Sequence, residues 1–293
     1  MIDIDLSKCI KCESCVQECP IYVFHSMANG DHYGKAYAKY EDQCCKCYHC
    51  VAICPVGAIK LNGTSLNDLE RLNNIDINSD QMRNLIYSRR SIRSFKDEPV
   101  EDEFINELIE MATHAGTTSN DQSEGFIILK NKDKIEEIER DVINVFWSSV
   151  LKYFGSNGII TKLLSKKMGE KMVHTLKRYH KTFKNRTADD NLKGMIFRNA
   201  PAVILMYGPS FNDIGKINSA LALRNVELYA LTRGYGTMYC GFMVSTFNRK
   251  PNIFREKLGI NKYESVFGVL LIGKPKRSHI YKLPRKPRNI MFV

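Results

Sequence analysis

The chain has 293 residues, 44% of them hydrophobic, a length that exceeds one typical domain and favours two folded domains. Its net charge of +11 comes without a recognised nucleic-acid module, so no nucleic acid is expected as a partner. No run of about eighteen apolar residues occurs, and Met1–Cys9 has no basic stretch leading into an apolar core; neither a membrane span nor a signal peptide is expected, and a reducing cytoplasm is.

In chain order, Ile2 and Ile4 alternate with Asp3 and Asp5, the pattern of a short strand. Cys9, Cys12, Cys15 and Cys19 follow in the spacing C-x2-C-x2-C-x3-C, closed by Pro20. The spacing returns 35 residues later as Cys44, Cys47, Cys50 and Cys54, closed by Pro55. Ala36, Ala38 and Tyr40 alternate ahead of the second block and Ala58–Leu61 follows it, so the stretch reads as a repeated module of short hairpins and helical turns. Four thiols within eleven residues, twice over, suit iron–sulfur clusters, whose irons take soft sulfur ligands. The alternative is a pair of four-cysteine zinc sites, although zinc modules bring cysteines two by two across a longer gap.

Residues 1–62 resemble the bacterial 2[4Fe–4S] ferredoxins. That resemblance implies a crossover of the fourth cysteine: Cys9, Cys12, Cys15 and Cys54 hold one cluster, and Cys44, Cys47, Cys50 and Cys19 the other. Cys45, His25, His32 and His49 are expected to flank the clusters without ligating them.

Asn62-Gly63 is a turn signal, and residues 63–81, rich in Asn and Asp, read as a linker to a second domain over 82–293. Ser79 or Asp80 is placed to cap a helix through Met82, Leu85 and Ile86, and a second helix presents Phe104, Ile105, Leu108, Ile109 and Ala112 on one face. Phe126–Leu129 reads as a buried strand and Lys132–Val145 as an amphipathic helix, with helix signals continuing to Leu192. Lys162–Arg198 holds eleven Lys and Arg against three acidic residues, either a solvated helical face or a docking surface for an acidic donor or anionic substrate. Ala202–Tyr207 reads as a strand, Ala220–Thr232 as a long helix capped by Ser219, and Thr237–Val244 and Val266–Ile272 as further strands, an α+β pattern.

Three polar segments of this second part resemble the FMN-dependent nitroreductases. The first is Arg-Arg-Ser-Ile-Arg, in which Arg89, Arg90, Ser91 and Arg93 would hold the phosphate, ribityl chain and ring edge of FMN. The second is the loop from Ala115 to Phe126, where Thr117, Thr118, Asn120 and Gln122 keep the family register. Gly116, Ser123 and Glu124 replace the family's Pro, Pro and Trp. The third is the basic tail, in which Lys286 and Arg288 would reach back to the phosphate. Gly241 would allow close approach of the ring, with Cys240 beside it.

The resemblances together imply a ferredoxin-like two-cluster domain followed by a nitroreductase-like α+β sandwich with a helical insert over 146–192. They also imply a homodimer with FMN at its interface and chemistry carried by FMN rather than a covalent nucleophile. The expected reaction passes electrons from the clusters to FMN and on to a small electron-poor acceptor, a nitroaromatic, quinone or similar compound. Two other readings stand: a reductase fed by NAD(P)H with accessory clusters, and a non-enzymatic electron-transfer or redox-sensing protein.

Overall fold

The structure is a computed structural model that describes residues 1–149, 154, 163, 166, 169–188 and 192–293. It divides into two compact units, Met1–Ile77 with Thr117–Asp121, and Asn78–Gly116 with Gln122–Val293.

In the first unit, β1 (Ile2–Ile4) pairs antiparallel with β4 (Ile59–Leu61), and β2 (Phe24–Ser26) with β3 (Ala36–Ala38). Phe24–Ser26 is a strand that the alternation of neighbouring residues does not announce. The two cysteine blocks fold alike. Lys11 and Glu13 in the first, and Lys46 and Tyr48 in the second, all have left-handed backbone (φ 66, 59, 55 and 61). This coil turns successive cysteines inward before α1 (Ser14–Glu18) and α2 (His49–Ile53) begin. Each helix stops at a cysteine with extended backbone, Cys19 or Cys54, because the following proline excludes the helical conformation before it. Val23, Phe24, Val51, Ala58, Ile59 and Leu61 form the buried centre.

The second unit is built on one four-stranded sheet, every pairing antiparallel, in the order β5 (Gly125–Leu129), β6 (Ala202–Pro209), β8 (Glu264–Gly273), β7 (Gly236–Tyr239). Because side chains alternate across a strand, the two central strands feed two cores. Val203, Leu205, Val269 and Leu271 pack with α5 (Lys132–Ser149), α6 (Glu170–Ala188) and the two helices over Gly241–Arg249 and Pro251–Leu258.

 In chain order the helices of this unit are α3 (Ser79–Ser88), α4 (Asp102–Thr113), α5, α6, the long α7 (Gly215–Thr232), α8 (Gly241–Arg249) and α9 (Pro251–Leu258). The first core therefore lies between the sheet and α5, α6, α8 and α9, with Ile138, Phe183, Met243 and Phe254 as its large members. On the other face, Ala202, Ile204, Leu270 and Ile272 pack with Phe104 and Leu108 of α4 and Ala222, Val226 and Ala230 of α7. The unit is a three-layer sandwich with helices on both sides of the sheet, which is why β6 and β8 are apolar along nearly their whole length.

Several local expectations are corrected. Asn78, not Ser79 or Asp80, caps α3: its Oδ1 accepts from Asp80 N and Gln81 N at 3.1 and 2.9 Å, and Gln81 reaches back to Asn78 N. Helix α7 begins at Gly215, so Ser219 lies inside it with its hydroxyl buried. The expected strand over Thr237–Val244 ends at Tyr239, and α8 starts at Gly241. Of the helical insert, α6 is described, with His180 stacked on Trp147 at 5.1 Å. The remainder of that insert lies outside the described residues, as does part of the basic run over 162–198. Among the described residues no helix is long and apolar enough to cross a membrane.

Candidate functional site

Cys9, Cys12, Cys15 and Cys54 line one cavity of the first unit, and Cys19, Cys44, Cys47 and Cys50 line another, with Cys45 beside them. The hydrogen bonds repeat as the backbone does: Val23 N donates to Cys19 Sγ and Ala58 N to Cys54 Sγ, each at 3.3 Å and each from four residues on. Lys46 N donates to Cys44 Sγ at 3.4 Å. Burial pushes the Cys15 thiol up to about 11 and the Cys50 thiol up to about 12. Such thiols ionise readily only beside compensating positive charge, which bound iron supplies. Among the described residues no three His, Cys, Asp or Glu side chains converge to hold a single ion. Four thiols spread around a cavity suit a cluster, in which each binds its own iron, better than one zinc ion.

In the second unit, the arginine–serine loop leaves the end of α3 and runs beside β7. Ile92 N donates to Thr237 O at 2.8 Å, and Ser91 forms a parallel bridge with Thr237. Arg89 Nη1 meets Glu227 Oε1 at 3.3 Å. Arg90 donates to the carbonyls of Tyr87, Arg89 and Tyr281, at 2.5, 3.0 and 2.6 Å. Arg93 is exposed and donates to Ser91 O at 3.2 Å. Arg89, Arg90, Glu227, Thr237 and Arg277 share the lining of a cleft of about 230 Å³.

The other expected residues are dispersed. Gly241 opens α8, and a Cβ added there would meet only Tyr239 Cε1, at 4.0 Å, so the backbone is open to close approach. Cys240 is 1% exposed within the core, and burial pushes its thiol up to about 11. Thr117, Thr118 and Asn120 fall in the segment Thr117–Asp121 of the first unit, where Asn120 Nδ2 donates to the carbonyls of Cys45 and Lys46, each at 3.2 Å. Gln122 belongs to the second unit; Ser119, Asn120 and Gln122 are all left-handed (φ 52, 55 and 45). Lys286 and Arg288 lie exposed in a tail without regular structure. That tail passes the end of α3, where Lys282 Nζ stands 3.8 Å from the Tyr87 ring centre.

Three further residues are not announced by the motifs, and of them only Glu227 lines the cleft. Glu227 braces Arg89, and its second oxygen meets Arg224 Nη1 at 3.2 Å. Glu139 is 4% exposed and accepts three backbone N–H groups, from Gly194, Ile196 and Phe197, at 2.8, 2.7 and 2.6 Å. The tether holds the turn that carries Arg198, whose Nε is buried. Periodicity contained a signal for Glu139: it occupies the same helix face as Ile135, Ile138 and Val142, where a carboxylate needs internal partners.

Residues 86–274 match the model of the nitroreductase family, and residues 8–59 match that of the 4Fe-4S dicluster domain. The chain belongs to the nitroreductase family. A nitroreductase with bound FMN from Desulfitobacterium hafniense superposes with a TM-score of 0.51 at 19% identity, over 72% of this chain and 97% of its own. One from Bacteroides fragilis, also with bound FMN, gives 0.52 at 15% identity, over 73% and 98%. An NADPH-dependent oxidoreductase of Staphylococcus saprophyticus is 24% identical over 198 residues, 68% of this chain and 66% of its own length. The chain thus spans slightly less than two thirds of that relative. The solved nitroreductases support the sandwich fold of the second unit; the dicluster match corresponds to the paired thiol cavities of the first.

Proposed function

We propose that the chain is a flavin-dependent oxidoreductase that passes electrons from two [4Fe–4S] clusters to FMN and on to a small electron-poor organic acceptor. The observation that carries this reading is the presence, in one chain, of two cysteine-lined cavities, one with four thiols and one with five, and a nitroreductase-family unit. Clusters move electrons singly, and flavin joins one-electron to two-electron traffic.

The residues fit these groups. Cys9, Cys12, Cys15 and Cys54 would ligate one cluster, and Cys44, Cys47, Cys50 and Cys19 the other. Backbone N–H groups directed at Cys19, Cys44 and Cys54 stabilise charge on sulfur. Arg89, Arg90, Ser91 and Arg93 would hold FMN, with Gly241 leaving room for the ring and Lys286 and Arg288 supplying further positive charge to the phosphate. When bound, FMN supplies the hydride or single-electron chemistry. The arginines bind and orient it, and their charge favours the more negative, reduced form. The nitroreductase–FMN complexes named above support FMN as the cofactor.

The acting form we propose is a cytoplasmic homodimer. Phe211, Ile214, Ile217 and Leu221 leave an exposed apolar stripe along the start of α7, a surface suited to a second copy. Light scattering of the purified protein tests this: a monomeric mass at micromolar concentration refutes it.

A second reading takes electrons directly from NAD(P)H, and the relative named an NADPH-dependent oxidoreductase favours it. An anaerobic visible titration with NADPH, NADH and chemically reduced ferredoxin separates the two. Flavin bleaching by reduced ferredoxin alone supports entry through the clusters; bleaching by a nicotinamide supports the second reading. A protein that takes up no flavin on reconstitution refutes both.

A further inference from the structure

Asn120 stands in the segment Thr117–Asp121, which belongs to the first unit. Its backbone is left-handed, at φ 55, as is that of Ser119 at φ 52, a conformation that asparagine adopts more readily than most residues. The turn presents the Asn120 amide to the second cysteine block, where Nδ2 donates to the carbonyls of Cys45 and Lys46, each at 3.2 Å. An amide N–H₂ holds two donors, and both are committed there. The family register would give those donors to FMN; in this chain they serve the cysteine block.

The Cys45 carbonyl and the Lys46 N–H are the two ends of one peptide group, and Lys46 N donates to Cys44 Sγ at 3.4 Å. A hydrogen bond received at the carbonyl polarises the N–H at the other end, so the Asn120 amide, the peptide and the sulfur form one chain of donors. The first block has no such chain. Ile10 and Lys11 take the places of Cys45 and Lys46 there, and Lys11 has the same left-handed backbone as Lys46, at φ 66 against 55. Among the described residues, however, the Ile10 and Lys11 carbonyls meet no side-chain donor and Cys9 Sγ accepts no backbone N–H. The bonds from Val23 to Cys19 and from Ala58 to Cys54 are alike in the two blocks. Asn120 therefore makes two repeated sites unequal.

We propose that Asn120 is a positioning residue for the cluster of the second cavity: it holds and polarises the Cys45–Lys46 peptide and, through that peptide's bond to the Cys44 sulfur, raises the cluster's reduction potential. The inference rests on the cluster reading above. Reduction adds one electron from the external donor; no bond forms or breaks and no proton is taken up, so the irons and sulfurs become one unit more negative. N–H groups donated to ligand sulfur favour that more negative state. The effect draws electrons from the first cavity's cluster, which is oxidised as the second is reduced.

The test is an EPR-monitored redox titration of the full chain reconstituted with iron and sulfide, comparing wild type, N120G and S119G. Glycine suits the left-handed backbone at either position, so both variants spare the turn and only N120G removes the donors. N120G is expected to disfavour reduction of one cluster about threefold, a fall of about 28 mV in one of the two one-electron midpoints, with the other unchanged. S119G is expected to keep both midpoints. Unchanged midpoints in N120G at about eight irons, or an equal fall in S119G, overturn the proposal and leave the cluster reading intact. FMN binding weakened about tenfold in N120G with unchanged midpoints would return Asn120 to the flavin and likewise overturn it. Wild type that takes up no clusters overturns the reading and the proposal together. Should N120G hold fewer irons than wild type, N120D replaces it, since aspartate tolerates the left-handed backbone but its carboxylate only accepts; a fall confined to one midpoint supports the proposal, and unchanged midpoints overturn it.

Discussion

Arg89 and Glu227 are bound to each other, Nη1 to Oε1 at 3.3 Å, where the arginine–serine loop leaves α3. Both are mostly buried, with side-chain exposures of 20% and 12%, and Thr237 Oγ1 donates to the same Glu227 oxygen at 3.4 Å. The carboxylate fixes one edge of the guanidinium and leaves its other donors for an anion. Arg89→Ala is therefore expected to weaken FMN binding tenfold or more, about 1.4 kcal/mol. Glu227→Gln should cost about 1 kcal/mol of stability yet change FMN affinity less than threefold, since it leaves the loop with more positive charge. Fluorescence titration with FMN and urea unfolding check the two effects; an affinity loss in Glu227→Gln equal to that in Arg89→Ala would show that orientation, not charge, dominates.

Glu139 gives a second expectation. Its carboxylate accepts three N–H groups at 2.6–2.8 Å from a position 4% exposed. Glu139→Gln retains one carbonyl oxygen but turns an amide N–H₂ toward one of the former donors. It is expected to lower unfolding free energy by about 2–3 kcal/mol, read from the urea midpoint. A loss under about 0.5 kcal/mol would show that the turn before Arg198 stands without the tether.

These residues mark what was legible in the sequence. The cysteine blocks disclosed a two-cluster domain because cluster ligation demands one residue type at close, fixed spacing. The helix over Lys132–Val145 and the strand over Phe126–Leu129 followed from apolar periodicity, which tertiary packing then reinforced. Ser219 misled because serine favours helix starts, yet α7 begins a turn earlier and Ser219 packs against Gly268, where a Cβ would stand 2.1 Å from its hydroxyl. The stretch Thr237–Val244 reads as one apolar run, but the chain turns at Cys240 and the same residue types continue as a helix. Arg198 was counted only as part of a basic run. The turn that carries it is held by the distant Glu139, which no local pattern links to it.

Acid should act through the lysine-bound carboxylates of α5. Lys257 first, and then Lys134, hold the Glu137 carboxyl down to about 2 from an ordinary value of 4.5. The folded-state value is depressed, so the stabilisation is complete above the unfolded-state value and is lost as pH falls from about 5 towards 2. Lys257 also binds Asp141, Nζ to Oδ2 at 2.6 Å. Lys257→Met is thus expected to flatten the fall in urea midpoint between pH 5 and pH 3 relative to wild type. Parallel curves for the two proteins would place the acid sensitivity elsewhere.

The crossover of cysteines makes an expectation in iron stoichiometry. If the fourth thiol of each block serves the other block's cavity, Cys9 and Cys54 belong to one cluster and Cys9 and Cys19 to different ones. The reconstituted wild type should carry about eight irons. Cys9→Ser with Cys54→Ser should retain about four, because both losses fall on one cluster, whereas Cys9→Ser with Cys19→Ser should approach none. Cys45→Ser should keep about eight if Cys45, which also lines the second cavity, flanks that cluster without ligating it. Iron and sulfide analysis after anaerobic reconstitution distinguishes these outcomes. The reverse pattern, about four irons with Cys9→Ser and Cys19→Ser and almost none with Cys9→Ser and Cys54→Ser, would mean that each block closes on its own cysteines, and the thiols that share a cavity would then not be the ligand sets.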